Sequence, residues 1–270
     1  MKRIIHLSDL HVGHKDFDRR FEVICNNLIA QIGNQAVNHV IVITGDLVDN
    51  ANNHNNYTKV KIQLERLKCA GFEHILVVPG NHDYGTGQYG NKKFVKLFRQ
   101  TFYQDEIDYP RKDIIDGVAF IGLDSTAEEL HFYDRFFSEG ELGHNQLQRL
   151  SDTLKAEDVQ RCKKRVIYLH HHPFDWRPLH QLKDSHRLKK LLTSTIASGT
   201  SIDALLYGHN HQGKSCNGQW TIARCYDGGT ATFKRRCSFL EWIPFLSVRS
   251  SARLIDIEKE DLSNDHALSL

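Results

Sequence analysis

The sequence holds no CxxC pair, no long apolar run and no strong excess of either charge. Each absence closes off a class of function. Six cysteines (Cys25, Cys69, Cys162, Cys216, Cys225 and Cys237) stand at irregular spacings, and the chain of 270 residues is large enough to fold without disulfides. Free thiols in a reducing compartment follow as the expectation. The apolar pair Ile4-Ile5 near the start is too short for a signal peptide, and nothing approaches the ~20 apolar residues of a membrane span. A cytoplasmic protein with no membrane partner is expected. The 35 basic residues nearly balance 33 acidic ones, for a formal charge of +2. No global field therefore draws in nucleic acid. Internal repeats and a clear linker are also lacking, so one domain over 1–270 is the expected organisation.

What the chain has in abundance is histidine, 17 in all. Histidine is the commonest metal ligand and the usual acid or base near neutral pH, although residues such as His39, His54 and His74 read equally well as solvated surface. Short β-branched runs alternate with longer amphipathic stretches, the signature of an α/β fold. Strands are expected at Ile4–His6, Val40–Thr44, Ile75–Val78, Val166–Leu169 and Ala204–Tyr207. Helices are expected over Phe17–Ile32, Lys59–Ala70, Lys92–Phe102, Leu147–Leu154 and His186–Ile196, with a hairpin in Asp113–Leu123 turning at Asp116-Gly117. Asn50–Asn56 reads as a surface loop. After Ala204–Tyr207 come Trp220–Cys225, Cys237–Trp242 and Arg253–Ile257, which read as antiparallel strands, and a polar tail beyond Glu258 that reads as a short helix or disorder.

Chemistry gathers where the strands stop. Ser8-Asp9-Leu10-His11, Gly45-Asp46-Leu47-Val48-Asp49, Gly80-Asn81-His82-Asp83, His170-His171-His172 and Gly208-His209-Asn210-His211 each follow an apolar run. In a parallel sheet the carboxyl ends of the strands lie along one edge, where ligands bind. Asp9 and His11, and likewise His209 and His211, are two apart, which puts both side chains of each pair on one side of an extended segment. Mixed carboxylate, amide and imidazole donors suit zinc, iron or manganese, and no cysteine lies in any of the five motifs.

Together these motifs resemble the calcineurin-like metallophosphoesterase superfamily, and His171-His172-Pro173 is most like its bacterial cyclic-nucleotide phosphodiesterase branch. The resemblance implies a four-layer αββα sandwich with two mixed sheets and a dimetal site at the strand C-terminal edge. It implies two divalent or mixed-valence ions (Mn, Fe or Zn), one held by Asp9, His11, Asp46 and His211, the other by Asp46, Asn81, His171 and His209. Asp46 would bridge, a hydroxide held between the ions would attack, His82 would protonate the leaving oxygen, and Asp49 would orient His82. The triple histidine leaves a choice: the family spacing to proline selects His171, His172 is the alternative, and His170 should point the other way along its strand.

The bland reading makes these residues turn and cap formers, as Asp and Asn often are. Five motifs in order argue against it. The group Arg177, His180, Lys183, His186 and Arg187 reads as a solvated helix face, and Lys234-Arg235-Arg236 as an exposed turn. The expected activity is hydrolysis of a small phosphodiester, a 3',5'-cyclic nucleotide among the candidates, by a monomer or homodimer. A phosphomonoesterase, a nuclease and a non-catalytic scaffold of the same fold are the alternatives.

Overall fold

The computed structural model describes residues 3–86, 90–103, 108–126, 139–175, 181–213, 215–232, 251–256 and 266–269. Two five-stranded mixed sheets stack between helices. In the first, β1 (Arg3–Leu7), β2 (His39–Thr44) and β3 (His74–Val78) run parallel, while β9 (Ser251–Ile255) and β10 (His266–Ser269) extend the edge antiparallel, in the order β10-β9-β1-β2-β3. In the second, β4 (Arg111–Ile115) pairs antiparallel with β5 (Val118–Gly122), and β6 (Lys164–Tyr168), β7 (Ala204–Tyr207) and β8 (Arg224–Asp227) follow in parallel.

Alternation along the strands builds the layers. Val118, Phe120, Val166, Tyr168, Ala204 and Leu206 join the core shared with the first sheet and with α1 (Phe17–Ile32), α2 (His54–Cys69) and α3 (Lys92–Phe102). Ala119, Ile121, Ile167, Leu205 and Tyr207 point the other way, into a second core under α4 (His144–Lys155), α5 (Glu157–Gln160) and α6 (Ser185–Ala197). A sheet covered on both faces needs such continuous apolar strands, and β2 and β7 are buried throughout. Each fully buried Val, Leu or Ile contributes about 1.5–3 kcal/mol.

Helices α1 and α3 occupy the expected residues. The Asn-rich stretch is not all loop: Asn53 caps α2 by accepting the Asn55 N–H, so that helix starts at His54. His39 is buried as the first residue of β2, its Nδ1–H donating to the Gln35 carbonyl at 2.8 Å. The expected strand at Trp220–Cys225 forms only from Arg224. Before it, Trp220 and Thr221 take left-handed backbone (φ 51° and 63°) in a 3-10 turn, with Trp220 packed on Phe174. β8 is also parallel to β7, not antiparallel, because residues 215–216 first run down beside it and the chain then turns back. Part of the polar tail is a strand, β10. The expected strand at Cys237–Trp242, the turn at Lys234-Arg235-Arg236, and Arg177 and His180 lie outside the described residues.

Between the sheets, His6 of β1 is fully buried with its Nε2 2.9 Å from Thr44 Oγ1. Burial, then the charge of Arg253, pushes its pKa down to about 3. A folded-state pKa below the unfolded one means that the fold accepts only the neutral ring. That contribution is whole above pH ~6.5 and is lost as pH falls toward 3, costing about 2 kcal/mol at pH 5. We expect thermal unfolding to shift down between pH 7 and pH 5, and a shallower shift in His6→Gln. Equal shifts in the two proteins would show that another group is responsible.

Candidate metal centre

Five segments leave their strands at one edge of the paired sheets and converge. β1 leads into Asp9 and His11, β2 into Asp46, β3 into Asn81 and His82, β6 into His170 and His171, and β7 into His209 and His211. Main-chain bonds hold these loops together: the Asp9 N–H donates to the Gly45 carbonyl (3.0 Å), the His11 N–H to that of Asp46 (2.9 Å), and the Gly208 N–H to that of His170 (2.9 Å).

The backbone here is not extended. Asp9, His11, Asp46, His209 and His211 have φ of 53°, 44°, 51°, 73° and 54°. Left-handed backbone costs an L-residue about 1–3 kcal/mol, and such strain collects at functional sites. The pairs Asp9/His11 and His209/His211 therefore do converge, but through a turn with left-handed residues on either side of Leu10 and Asn210, not through the expected extended segments. Two glycines make the approach feasible. A Cβ on Gly80 would fall into the Asp46 carboxylate, and one on Gly208 into the Ser8 hydroxyl and Asp9.

Each carboxylate gives one oxygen to the protein and turns the other to the cluster. Asp46 Oδ1 accepts the His82 N–H at 2.9 Å, while Oδ2 lies 3.8 Å from His11 Nε2 and 3.4 Å from His170 Nε2. Asp9 Oδ2 accepts from the Ser8 hydroxyl and from the His209 N–H (3.1 Å), while Oδ1 lies 2.9 Å from His211 Nε2. His11 Nε2 completes this first group, 3.3 Å from His211 Nε2 and 3.9 Å from Asp9 Oδ1. A second group stands across Asp46 Oδ2, where His170 Nε2 is 3.1 Å from Asn81 Oδ1 and 3.2 Å from His209 Nδ1. Donors bound at ~2.0–2.1 Å to one ion lie about 3–3.4 Å apart, which matches the short spacings in both groups. Nitrogens facing each other at 3.2–3.3 Å also need a proton or a cation between their lone pairs. The donor types and spacings fit cation binding, and Asp46 Oδ2 faces both groups.

Protonation in the metal-free chain follows the same geometry. Burial opposes charge on His170, but Asp46 and then Asp9 outweigh it and raise its pKa to about 9. His211 is raised likewise against its burial, by Asp9. Burial works against the anion of Asp46 too, yet His170 and His82 hold it well below the usual carboxylate range. His11, by contrast, is pushed down to about 4, chiefly by burial. Imidazoliums thus balance the carboxylates where cations would sit, so metal binding must release protons.

Of the expected site residues, the structure brings Asp9, His11, Asp46, Asn81, His209 and His211 into these two groups, and His171 lies with His170 and His209, their donor atoms within 4.8 Å of one another. One correction concerns His170, expected to point away. Its ring turns inward because its Nδ1–H donates to the Thr44 carbonyl at 2.8 Å, across the sheet interface, which turns Nε2 toward Asp46, Asn81 and His209. His171 closes a group of three with His170 and His209, its ring tilted against that of His209 at 4.6 Å, with Nδ1 2.8 Å from the Ser125 hydroxyl and its buried Nε2 without a hydrogen-bond partner among the described residues. His172 packs on Tyr207 and Phe174. A second correction concerns Asp49. It reaches His82 through its main-chain carbonyl, which accepts the Nδ1–H at 2.7 Å, and not through its carboxylate.

Sequence reasoning passed over Asp83. Its buried carboxylate accepts the N–H groups of Leu47 (3.2 Å), Val48 (3.1 Å) and Gly80 (2.9 Å), tying the Asp46 loop to the Asn81 loop. The repeated Asp after Gly80-Asn81-His82 was visible, but nothing local marks it as an inter-loop clamp.

A family model described as calcineurin-like phosphoesterase matches residues 2–213. Among curated proteins, the chain is 27% identical over 187 residues to a 3',5'-cyclic adenosine monophosphate phosphodiesterase, CpdA, of Haemophilus influenzae. That match covers 67% of this chain and 57% of the relative, so the chain spans little more than half of that protein's length. Among solved structures, a dimetal phosphatase from Danio rerio superposes with a TM-score of 0.61 at 13% identity, over 84% of this chain and 86% of the other. GAP50, an anchor in the inner membrane complex of Plasmodium, also reaches 0.61, at 12% identity over 100% and 89%. At such identities these likenesses concern the fold. Among the described residues no helix is long and apolar enough to cross a membrane.

Proposed function

The chain belongs to the calcineurin-like phosphoesterase family, and from that premise we propose that it is a two-metal phosphodiesterase acting on a small diester, with a cyclic nucleotide as the first substrate to try. The observation that carries this reading is Asp46 Oδ2, a single buried carboxylate oxygen flanked by two donor groups. Asp9, His11 and His211 would hold one ion, and Asn81, His170 and His209 the other, with Asp46 common to both. Held there, two divalent ions would supply a nucleophilic water near neutral pH and positive charge for the phosphoryl oxygens.

The chain's own groups do the rest. Asp9 and Asp46 bring only two negative charges, so a doubly occupied centre keeps about two positive charges for the phosphate. Asn81 donates a neutral oxygen and preserves that surplus. The Asp49 carbonyl fixes the Nδ1–H of His82 and leaves Nε2 as the atom that meets the leaving oxygen; a proton held there would pass to it as the ester bond breaks. The diester reading draws on the cyclic AMP phosphodiesterase relative.

Hydrolysis of bis(p-nitrophenyl) phosphate, p-nitrophenyl phosphate and cyclic AMP by manganese-loaded protein tests the reading. We expect diester turnover to exceed monoester turnover, and His82→Ala to lower it about 10²–10⁴-fold. Monoester preference would make the protein a phosphatase. Two bound ions without any hydrolysis would make it a scaffold.

A further inference from the structure

We propose that Asp49 and His14 form a positioning pair for the metal ligand His11, an inference that rests on the two-seat reading above. His11 turns Nε2 toward Asp9, Asp46 and His211. Its other nitrogen, Nδ1, is buried and has no hydrogen-bond partner among the described residues. A histidine that gives one nitrogen to a cation is held by an acceptor on the other, which fixes the tautomer and strengthens the ligand. The oxygen that stands beside this Nδ1 is Asp49 Oδ1, at 3.9 Å. The same oxygen lies 3.4 Å from His14 Nδ1.

The surroundings favour this arrangement over a carboxylate acting on His82. Asp49 is placed by its main chain, because its N–H donates to the Val12 carbonyl (3.0 Å) and the Val12 N–H to that of Leu47 (3.0 Å). His14 belongs to the turn that carries His11: its N–H donates to the His11 carbonyl (3.0 Å), and its ring packs edge-on against Phe17 at 5.0 Å. His14 therefore holds the carboxylate from the solvent side while His11 faces it from the buried side. The Asp49 side chain is 32% exposed and free to close the gap to the ~3 Å of a hydrogen bond. His82 needs none of this, since the Asp49 carbonyl already accepts its Nδ1–H.

Asp49→Asn separates the two roles, because it removes the carboxylate charge and keeps the carbonyl that holds His82. The full chain, freed of metal by chelation, is titrated with manganese alone, and bound ion is counted by elemental analysis after equilibrium dialysis. Wild-type protein should bind two ions. Asp49→Asn and His14→Ala should each weaken one of them about 10–100-fold and spare the other, while His82→Ala leaves both at wild-type affinity. The metal-free Asp49→Asn protein should melt with the metal-free wild type, which a merely structural role would not allow, and saturating manganese should restore most of its kcat. Wild-type affinity for both ions in Asp49→Asn and His14→Ala, or an equal loss in His82→Ala, overturns the positioning pair. Fewer than two ions on the wild type overturns the two-seat reading and this inference with it.

Discussion

Asp46→Asn should reduce the protein to a form that retains neither ion at micromolar manganese and hydrolyses diesters at least about 10³-fold more slowly, a loss of about 4 kcal/mol in transition-state stabilisation. The substitution keeps shape and volume. Its acceptor side can still take the His82 N–H that Oδ1 now accepts at 2.9 Å. What vanishes is the charged Oδ2, 3.8 Å from His11 Nε2 and 3.4 Å from His170 Nε2. A neutral amide nitrogen in that place presents hydrogens to both seats and bridges nothing. The loss should also appear without any substrate. Metal that binds only the folded chain raises its stability by about 2.7 kcal/mol at a hundredfold excess over Kd, so wild-type protein should melt higher with manganese and Asp46→Asn should not. Two retained ions and activity within tenfold of wild type would show that Asp46 does not bridge.

His170→Ala and His171→Ala should part company, although the residues are adjacent. The ring of His170 is oriented by the Thr44 carbonyl at 2.8 Å and faces Asn81 Oδ1 and His209 Nδ1. Without it, the second seat loses the donor that faces both Asn81 and His209, and we expect one ion to be lost and turnover to fall about 10²–10³-fold. His171 is wedged between Ser125 and Gly140, where a Cβ on Gly140 would enter its ring. Its removal should cost about 2–4 kcal/mol of stability as a buried large-to-small change, with two ions still bound. Metal counting and thermal unfolding on both variants decide the matter. Loss of an ion from His171→Ala with full retention in His170→Ala would return the ligand role to the residue that family spacing selects.

Much of this site could be read in one dimension. Apolar runs such as His39–Thr44 and Ala204–Tyr207 are buried along their whole length, and a sheet element of that kind has to end at an edge shared with its parallel neighbours. The polar residues just beyond those ends, Asp9, Asp46, Asn81, His209 and His211, were therefore legible as one cluster before any coordinates. Helix boundaries were legible where an amphipathic period met a clear end, as over Phe17–Ile32. Trp220 was misread because its aromatic, β-branched surroundings favour a strand, whereas packing on Phe174 and a left-handed turn outweigh that preference.

Side-chain direction was a different matter. Alternation along a strand sent His170 outward, but the strand has ended by residue 168, and past its end the period of two no longer applies. The family resemblance pairs Asp49 with His82, and only the fold shows its carbonyl there and its carboxylate toward His11 and His14. The sequence by itself determined the fold class, the edge at which the chemistry gathers and the donor types, because these follow from hydrophobic periodicity and residue chemistry, which are local. Tertiary structure alone decided which nitrogen or oxygen faces which, because that depends on hydrogen bonds between residues far apart in the chain, such as His170 to Thr44 and Asp83 to Leu47.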